Sequence, residues 1–277
     1  MNGEAVAADH PRSAHGGVWD YLSASRLLKW LNCPLAFKFQ YIDGLRPPAT
    51  PSQLLGKVVH RALEILHRHR QLHIPITAGE LCGRLPSVWD EVAGTERAPF
   101  SSQAERAARE QDAARLVAAY LAQMPPEETP MAVEMVLEAP LVDPRTGEDL
   151  GMPLLGILDL VTAEENGTVI VDFKTAARTS EPVEILHEIQ LTCYAYLLRA
   201  AADQREAALE IRTLVKTKTP KILRHRYPTR SAGHFARLFA VVREYLEALD
   251  RRRFTFRPGL ACSMCAFRQT ACPKWSG

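Results

Sequence analysis

The sequence predicts an α/β domain with a mixed central sheet flanked by helices. Two apolar, β-branched runs, residues 156–161 and 168–175, flank Asn166-Gly167, the dipeptide that most strongly marks a tight hairpin. Apolar residues recur at helical spacing upstream, in Leu54, Leu55, Val58, Val59, Ala62, Leu63 and Leu66. They do so again downstream, in Phe235, Leu238, Phe239, Val242, Leu246 and Leu249. Two more strand-like runs, 211–216 and 222–227, follow an intervening helical stretch. The order is therefore helices, three strands, helix, two strands, helix.

The elements follow in chain order. Ser23 or Ser25 caps a first helix through Leu31, and Pro34 starts a second one. A helix is expected from Gln53 to about Gln71, with His60 and Glu64 one turn apart at the edge of its apolar stripe. Residues 75–125 read as a helical insert whose last part, 101–124, is rich in Ala, Arg and Glu and expected to be largely solvated. Nothing in it reads as chemistry, and Cys82 reads as a small buried residue. Residues 133–141 read as a strand with its turn at 143–147. Glu181-Pro182 opens a helix to about Ala202, carrying Gln190 and Tyr194 one turn apart. Ser231 caps the last long helix.

At 277 residues and 47% apolar content, the chain has enough material for a sizeable core. A net charge of +2 makes any nucleic-acid binding depend on local basic patches rather than the global field. No apolar run is long enough to cross a bilayer and no signal-peptide pattern is present, so a soluble, cytoplasmic protein with no membrane partner is expected. Residues 1–20 read as a loose tail.

The hairpin carries the chemistry. With Asn166 and Gly167 as loop residues, Glu165 pairs with Thr168 and Asp159 falls opposite Lys174. Asp172 lies two residues back on the same face, so Asp159, Asp172 and Lys174 converge on one side of the ribbon. Two carboxylates hold a hard divalent cation, Mg²⁺ or Mn²⁺, through oxygen, and a lysine beside them orients an attacking water. Inward charges on otherwise apolar strands are costly unless they bind something.

Six cysteines stand at 33, 82, 193, 262, 265 and 272. An intracellular chain seldom uses them as disulfides, and the spacing Cys262-x-x-Cys265-x₆-Cys272 points to a metal. Spacing alone leaves tetrahedral zinc and an iron–sulfur cluster equally open. Cys193 reads as core.

Taken together, His60 in Gly56-x-x-x-His60, Asp159 in Gly156-Ile-Leu-Asp159, Asp172-Phe-Lys174-Thr175 and Gln190-x-x-x-Tyr194 resemble the ordered motifs of PD-(D/E)xK nucleases of the RecB type. The resemblance spans roughly residues 23–275. It implies a restriction-endonuclease-like core in which His60, Asp159, Asp172 and the Phe173 carbonyl bind metal. Lys174 would then be the catalytic lysine, with Gln190 and Tyr194 positioning substrate and lysine. Cys33-Pro34 with Cys262, Cys265 and Cys272-Pro273 resembles the iron–sulfur staple of AddB-type and CRISPR-adaptation nucleases, which implies a [4Fe–4S] cluster on those four thiolates. The segments would then be a tail (1–20), N-terminal helices with Cys33 and His60 (21–74), the insert (75–126), the nuclease core (127–253) and the iron–sulfur segment (254–277).

The expected activity is metal-dependent hydrolysis of DNA, as an exonuclease on single-stranded ends in recombination, repair or CRISPR adaptation, with a protein partner in such a complex. A catalytically idle iron–sulfur DNA-binding or scaffold subunit is the alternative. The intact Asp159, Asp172 and Lys174 favour the enzyme. Lys216, Lys218, Lys221, Arg224 and Arg226 are the expected phosphate contacts, fixing position without reading sequence.

Overall fold

The computed structural model describes residues 17–96, 98–125, 128–179 and 184–275. Most of the expected tail, and the expected helix start at Glu181-Pro182, lie outside the described residues. The helices are α1 (Ala24–Asn32), α2 (Pro34–Phe37), α3 (Pro51–Gln71), α4 (Ala78–Glu96), α5 (Gln103–Gln123), α6 (Glu188–Ala202) and α7 (Ala232–Asp250). The strands are β1 (Thr129–Val142), β2 (Asp149–Glu164), β3 (Gly167–Ala176), β4 (Glu206–Val215) and β5 (Lys221–Pro228). They form one sheet in chain order, antiparallel throughout except for the parallel β3–β4 pair. A parallel pair needs a crossover, and α6 supplies it. A mixed five-stranded sheet with flanking helices is consistent with a restriction-endonuclease-like fold.

Local chemistry sets the helix starts. Ser23 accepts the Arg26 N–H at 3.3 Å. Thr50 and Gln53 close a capping box at α3, with Pro51 at its first position. Upstream of α1, Val18 is buried and Leu22 adds a bridge to Leu154, so this part of the expected tail packs against β2.

Alternation along the strands feeds two cores, one on each face of the sheet. Val169, Val171 and Phe173 pack with α3, α4 and α5. Leu158, Ile170, Leu209 and Ile211 pack with α1, α6 and α7. The expectation of a largely solvated helix over 101–124 needs correction. Leu116, Val117 and Tyr120 of α5 are fully buried against that first face, because the spacing of three or four residues puts them on one stripe. Cys82 is half-buried beside the same core, and Cys193 is buried in the other.

The hairpin register also differs from the expected one. Glu164 pairs with Gly167, and the ladder runs to Leu160–Val171, so the loop residues are Glu165 and Asn166. Gly167 takes φ +118°, a conformation glycine adopts without strain, and that moves the turn back one position. The pairing is shifted by two residues, an even number, so residues 160–164 keep their faces. The ladder stops before Asp159, and alternation breaks there, with Leu158 in the α6–α7 core and Leu160 in the opposite one.

Helix α6 lies very close to β2. A Cβ on Gly156 would meet Leu197 Cδ1 at 2.5 Å, so a larger residue here forces the buried Leu197 side chain to shift.

Candidate active site

Strand β3 presents Asp172 and Lys174 to the α6 side and Phe173 to the α3 side. Lys174 Nζ lies 2.6 Å from Asp172 Oδ2. Gln190 Nε2, one face of α6, donates to Asp172 Oδ1 at 2.9 Å and to the Tyr194 hydroxyl at 2.8 Å. Although Lys174 pairs with it, the buried Asp172 Oδ2 receives no hydrogen bond of acceptable direction. It is a buried carboxylate oxygen with coordination capacity to spare.

Asp159 reaches the same place from β2, where its Oδ2 accepts the Phe173 main-chain N–H at 2.8 Å. The recorded β2–β3 ladder ends one step earlier, at Leu160–Val171, so a carboxylate takes the next N–H. His60 on α3 brings Nδ1 to 3.6 Å from the same oxygen. Burial first, and then the neighbouring Asp172 carboxylate, hold Asp159 well above the usual aspartate range. Burial raises the Tyr194 phenol as well. The six side chains expected at the centre, His60, Asp159, Asp172, Lys174, Gln190 and Tyr194, are therefore brought together, although they arrive from both faces of the sheet.

Three residues here had no motif to betray them. Glu134 sits opposite Asp159, framed by the pairs Val133–Leu160 and Met135–Leu158, at a left-handed φ of +49°. Burial, then Asp159 and Glu64, push its carboxyl up to about 7. Glu64 itself is held by Arg61 at 2.7 Å and Arg68 at 2.9 Å. Tyr120 and His67 lie behind Phe173, the His67 ring stacked on it at 5.7 Å. Arg212 donates to the Tyr120 hydroxyl at 2.8 Å, so that hydroxyl spends its proton on His67 Nε2 at 2.9 Å. Burial and the Arg212 charge push His67 down to about 3, which keeps it a neutral acceptor. Arg212 is clamped in turn by Glu128 and Glu210. The only advance signal was a pair of polar residues on apolar stripes.

The basic β4–β5 hairpin divides. Arg212–Arg224 and Glu210–Arg226 are register pairs on either side of Ile211–His225, which puts Arg224 and Arg226 on the face opposite Asp172. Both are neutralised there, Arg224 by Glu210 at 2.8 Å and Arg226 by Glu164 at 2.8 Å. Lys216 pairs with Asp112 at 3.3 Å. Lys218 and Lys221 are exposed.

At the other end of the molecule, Cys33, Cys262, Cys265 and Cys272 all line one cavity of about 280 Å³, with Phe39 and Phe267 in its wall. The Cys272 thiol is raised by burial and by the three other cysteines. Among the described residues, no three His, Cys, Asp or Glu side chains stand close enough to hold a metal ion by themselves. No helix of the described residues is long and apolar enough to cross a membrane.

A family model for the PD-(D/E)XK nuclease superfamily matches residues 21–273. The chain belongs to that superfamily. Among solved structures, a protein titled putative exonuclease from Eubacterium rectale is similar, at 12% identity and TM-score 0.52, over 90% of this chain and 94% of its own. At that identity the likeness speaks for the fold. The structure of SSO0001, also 12% identical, covers 91% of this chain and 96% of its own at TM-score 0.38, too low to carry an argument. No curated protein matches. Membership makes the superfamily's divalent-metal chemistry the one against which Asp159, Asp172 and Lys174 are judged.

Proposed function

We propose that the protein is a Mg²⁺- or Mn²⁺-dependent DNA nuclease, acting as an exonuclease on single-stranded ends. The observation that carries this reading is Asp172 Oδ2: buried, held by no well-directed hydrogen bond beside the Lys174 ammonium at 2.6 Å, and near a second carboxylate. The donor set fits a hard cation, since two carboxylates leave room for water and phosphate oxygens in the remaining positions. Asp159, Asp172, His60 and the Phe173 carbonyl would hold it. When bound, the cation supplies charge stabilisation for the phosphoryl group and a more acidic water.

The chain's own residues do the rest. Gln190 fixes the rotamer of Asp172 by its hydrogen bond to Oδ1, leaving Oδ2 to Lys174 and a cation. The Phe173 N–H fixes Asp159. Lys174, about one third exposed, reaches from the buried carboxylate toward solvent, where it orients the attacking water and later meets the new charge on phosphate. Tyr194 holds Gln190 from behind.

We infer that the four cysteines, which border one cavity, would hold an iron–sulfur group, and a group bound there would link α1 and α2 to the C-terminal segment. A role in recombination, repair or CRISPR adaptation, within a protein complex, accords with that pairing of centres.

The test is end-labelled single- and double-stranded DNA incubated with and without Mg²⁺ or Mn²⁺ and resolved over time. Stepwise, metal-dependent loss of the labelled single strand is expected. Binding without any cleavage would replace this reading with that of an idle DNA-binding subunit.

A further inference from the structure

One strip of the sheet beside the catalytic centre is left uncovered. Register places Asp172, Ile211 and His225 in one row across β3, β4 and β5, and Lys174, Thr213 and Leu223 in the next, all facing the α6 side. Ile211 is covered by the α6–α7 core. Thr213, Leu223 and His225 are only partly buried, and Lys221 at the end of the strip is exposed. Helix α5 packs on β5, but from the opposite face, where Ile222 joins its core.

The turn that precedes α6 leads into His187, which adjoins this strip. Ile185 and Leu186 stand 70% and 67% exposed on that turn, an unusual pair of aliphatic side chains to leave in water. His187, the next residue, is close enough to Lys174, Asp172 and His225 for their charges to act on it. The turn's acid, Glu184, is held away by Arg230 at 2.7 Å. Lysines and histidines thus line the strip, and among the described residues of its three rows the one carboxylate is the catalytic Asp172.

We propose that this strip is the exit path of a single nucleic-acid strand, its backbone on Lys221 and His225 and its bases against Leu223, Ile185 and Leu186. The inference rests on the nuclease reading, because the reacting phosphate fixes where the strand begins. From there His225 lies two strands away, roughly 10 Å, within reach of the phosphates next to the one being cut. Cations without competing carboxylates suit a phosphate backbone. Exposed aliphatic faces suit base faces, and only unpaired bases present those. A duplex offers its bases edge-on and would leave Ile185 and Leu186 in water.

The test is fluorescence anisotropy with a fluorescein-labelled oligothymidylate of about eight nucleotides, in Ca²⁺. Two variants are compared with the wild type: Ile185→Ser with Leu186→Ser, and His225→Ala. Each is expected to weaken binding roughly tenfold, with an unchanged melting temperature and little effect on a blunt duplex. Wild-type affinity in both variants overturns the exit path. Equal weakening for single strand and duplex also overturns it, since that marks a general electrostatic surface. The nuclease reading fails separately: a wild type that binds the oligonucleotide but never shortens it in Mg²⁺ or Mn²⁺ sinks that reading, while the variants still decide the path.

Discussion

The main-chain N–H of Phe173 donates to Asp159 Oδ2 at 2.8 Å. The residue that separates Asp172 from Lys174 thus holds the opposing carboxylate through its backbone, while its ring is gripped from the other face by His60, His67 and Tyr120. Both layers of the molecule meet at this one peptide, and the predictions below probe it from each side.

Asp172→Asn keeps the shape and an acceptor for Gln190 but removes the charge at Oδ2. Cleavage is expected to fall by at least about 10³-fold, and Mn²⁺ binding by calorimetry to be lost. Wild-type turnover in this variant would falsify the site.

Lys174→Met removes the ammonium with little change in bulk. Because the lysine acts on water and phosphate rather than on the cation, the rate is expected to drop about 10²- to 10⁴-fold while Mn²⁺ affinity holds within a few-fold. Parallel losses in rate and affinity would show that Lys174 serves only to shape Asp172.

Asp159 is held above the aspartate range, chiefly by burial. Its folded form clings to a proton that the unfolded chain gives up earlier. Stability from this group is therefore complete in acid and is lost as pH rises through the raised value. Asp159→Asn escapes that loss. In metal-free protein it is expected to be about 1–3 kcal/mol more stable than wild type at pH 7, with the gap closing below about pH 4. Denaturant melts at both pH values decide it; a variant less stable at neutral pH contradicts the assignment.

Tyr120→Phe deletes the hydroxyl shared by Arg212 and His67 while preserving the ring against Phe173. Two buried polar groups lose their partner, so a cost of about 1–3 kcal/mol is expected. A change under about 0.5 kcal/mol in urea melts would mean that the network is slack.

Cys262→Ser or Cys33→Ser should loosen the C-terminal segment beyond residue 257, whose buried apolar contact is Phe267 against Leu35, Ala36 and Phe39. Poor solubility and early proteolysis near residue 254 are expected. Anaerobically purified wild type should be brown, with about four iron and four sulfide per chain. Colourless, active protein with one zinc would keep the staple and change its metal.

Much of this was legible in the sequence, for identifiable reasons. Asp172 and Lys174 share a face by strand periodicity, while Asp159 joins them through its hydrogen bond from the Phe173 N–H, beyond the end of the ladder. Gln190 and Tyr194 sit one helical turn apart, a spacing that any α-helix turns into proximity. What escaped notice depends on tertiary pairing. Glu134 looked like any strand glutamate, and only its position opposite Asp159 and its left-handed backbone mark it. Tyr120 lay in a stretch whose composition spoke of solvent. Arg224 and Arg226 read as DNA contacts because charge is visible in sequence and the carboxylates that cancel it are not.

The missing side chain at Gly156 also has a bearing on how such a sequence is able to drift. Leu197 occupies the space where a Cβ would be, so neither position is independent of the other. Alanine at 156 requires the Leu197 side chain to move or shrink, and a shrunken 197 on its own leaves a hole over β2. Changes at the two positions are therefore coupled. Until both change, the distance from α6 to β2 stays fixed, and with it the reach of Gln190 to Asp172.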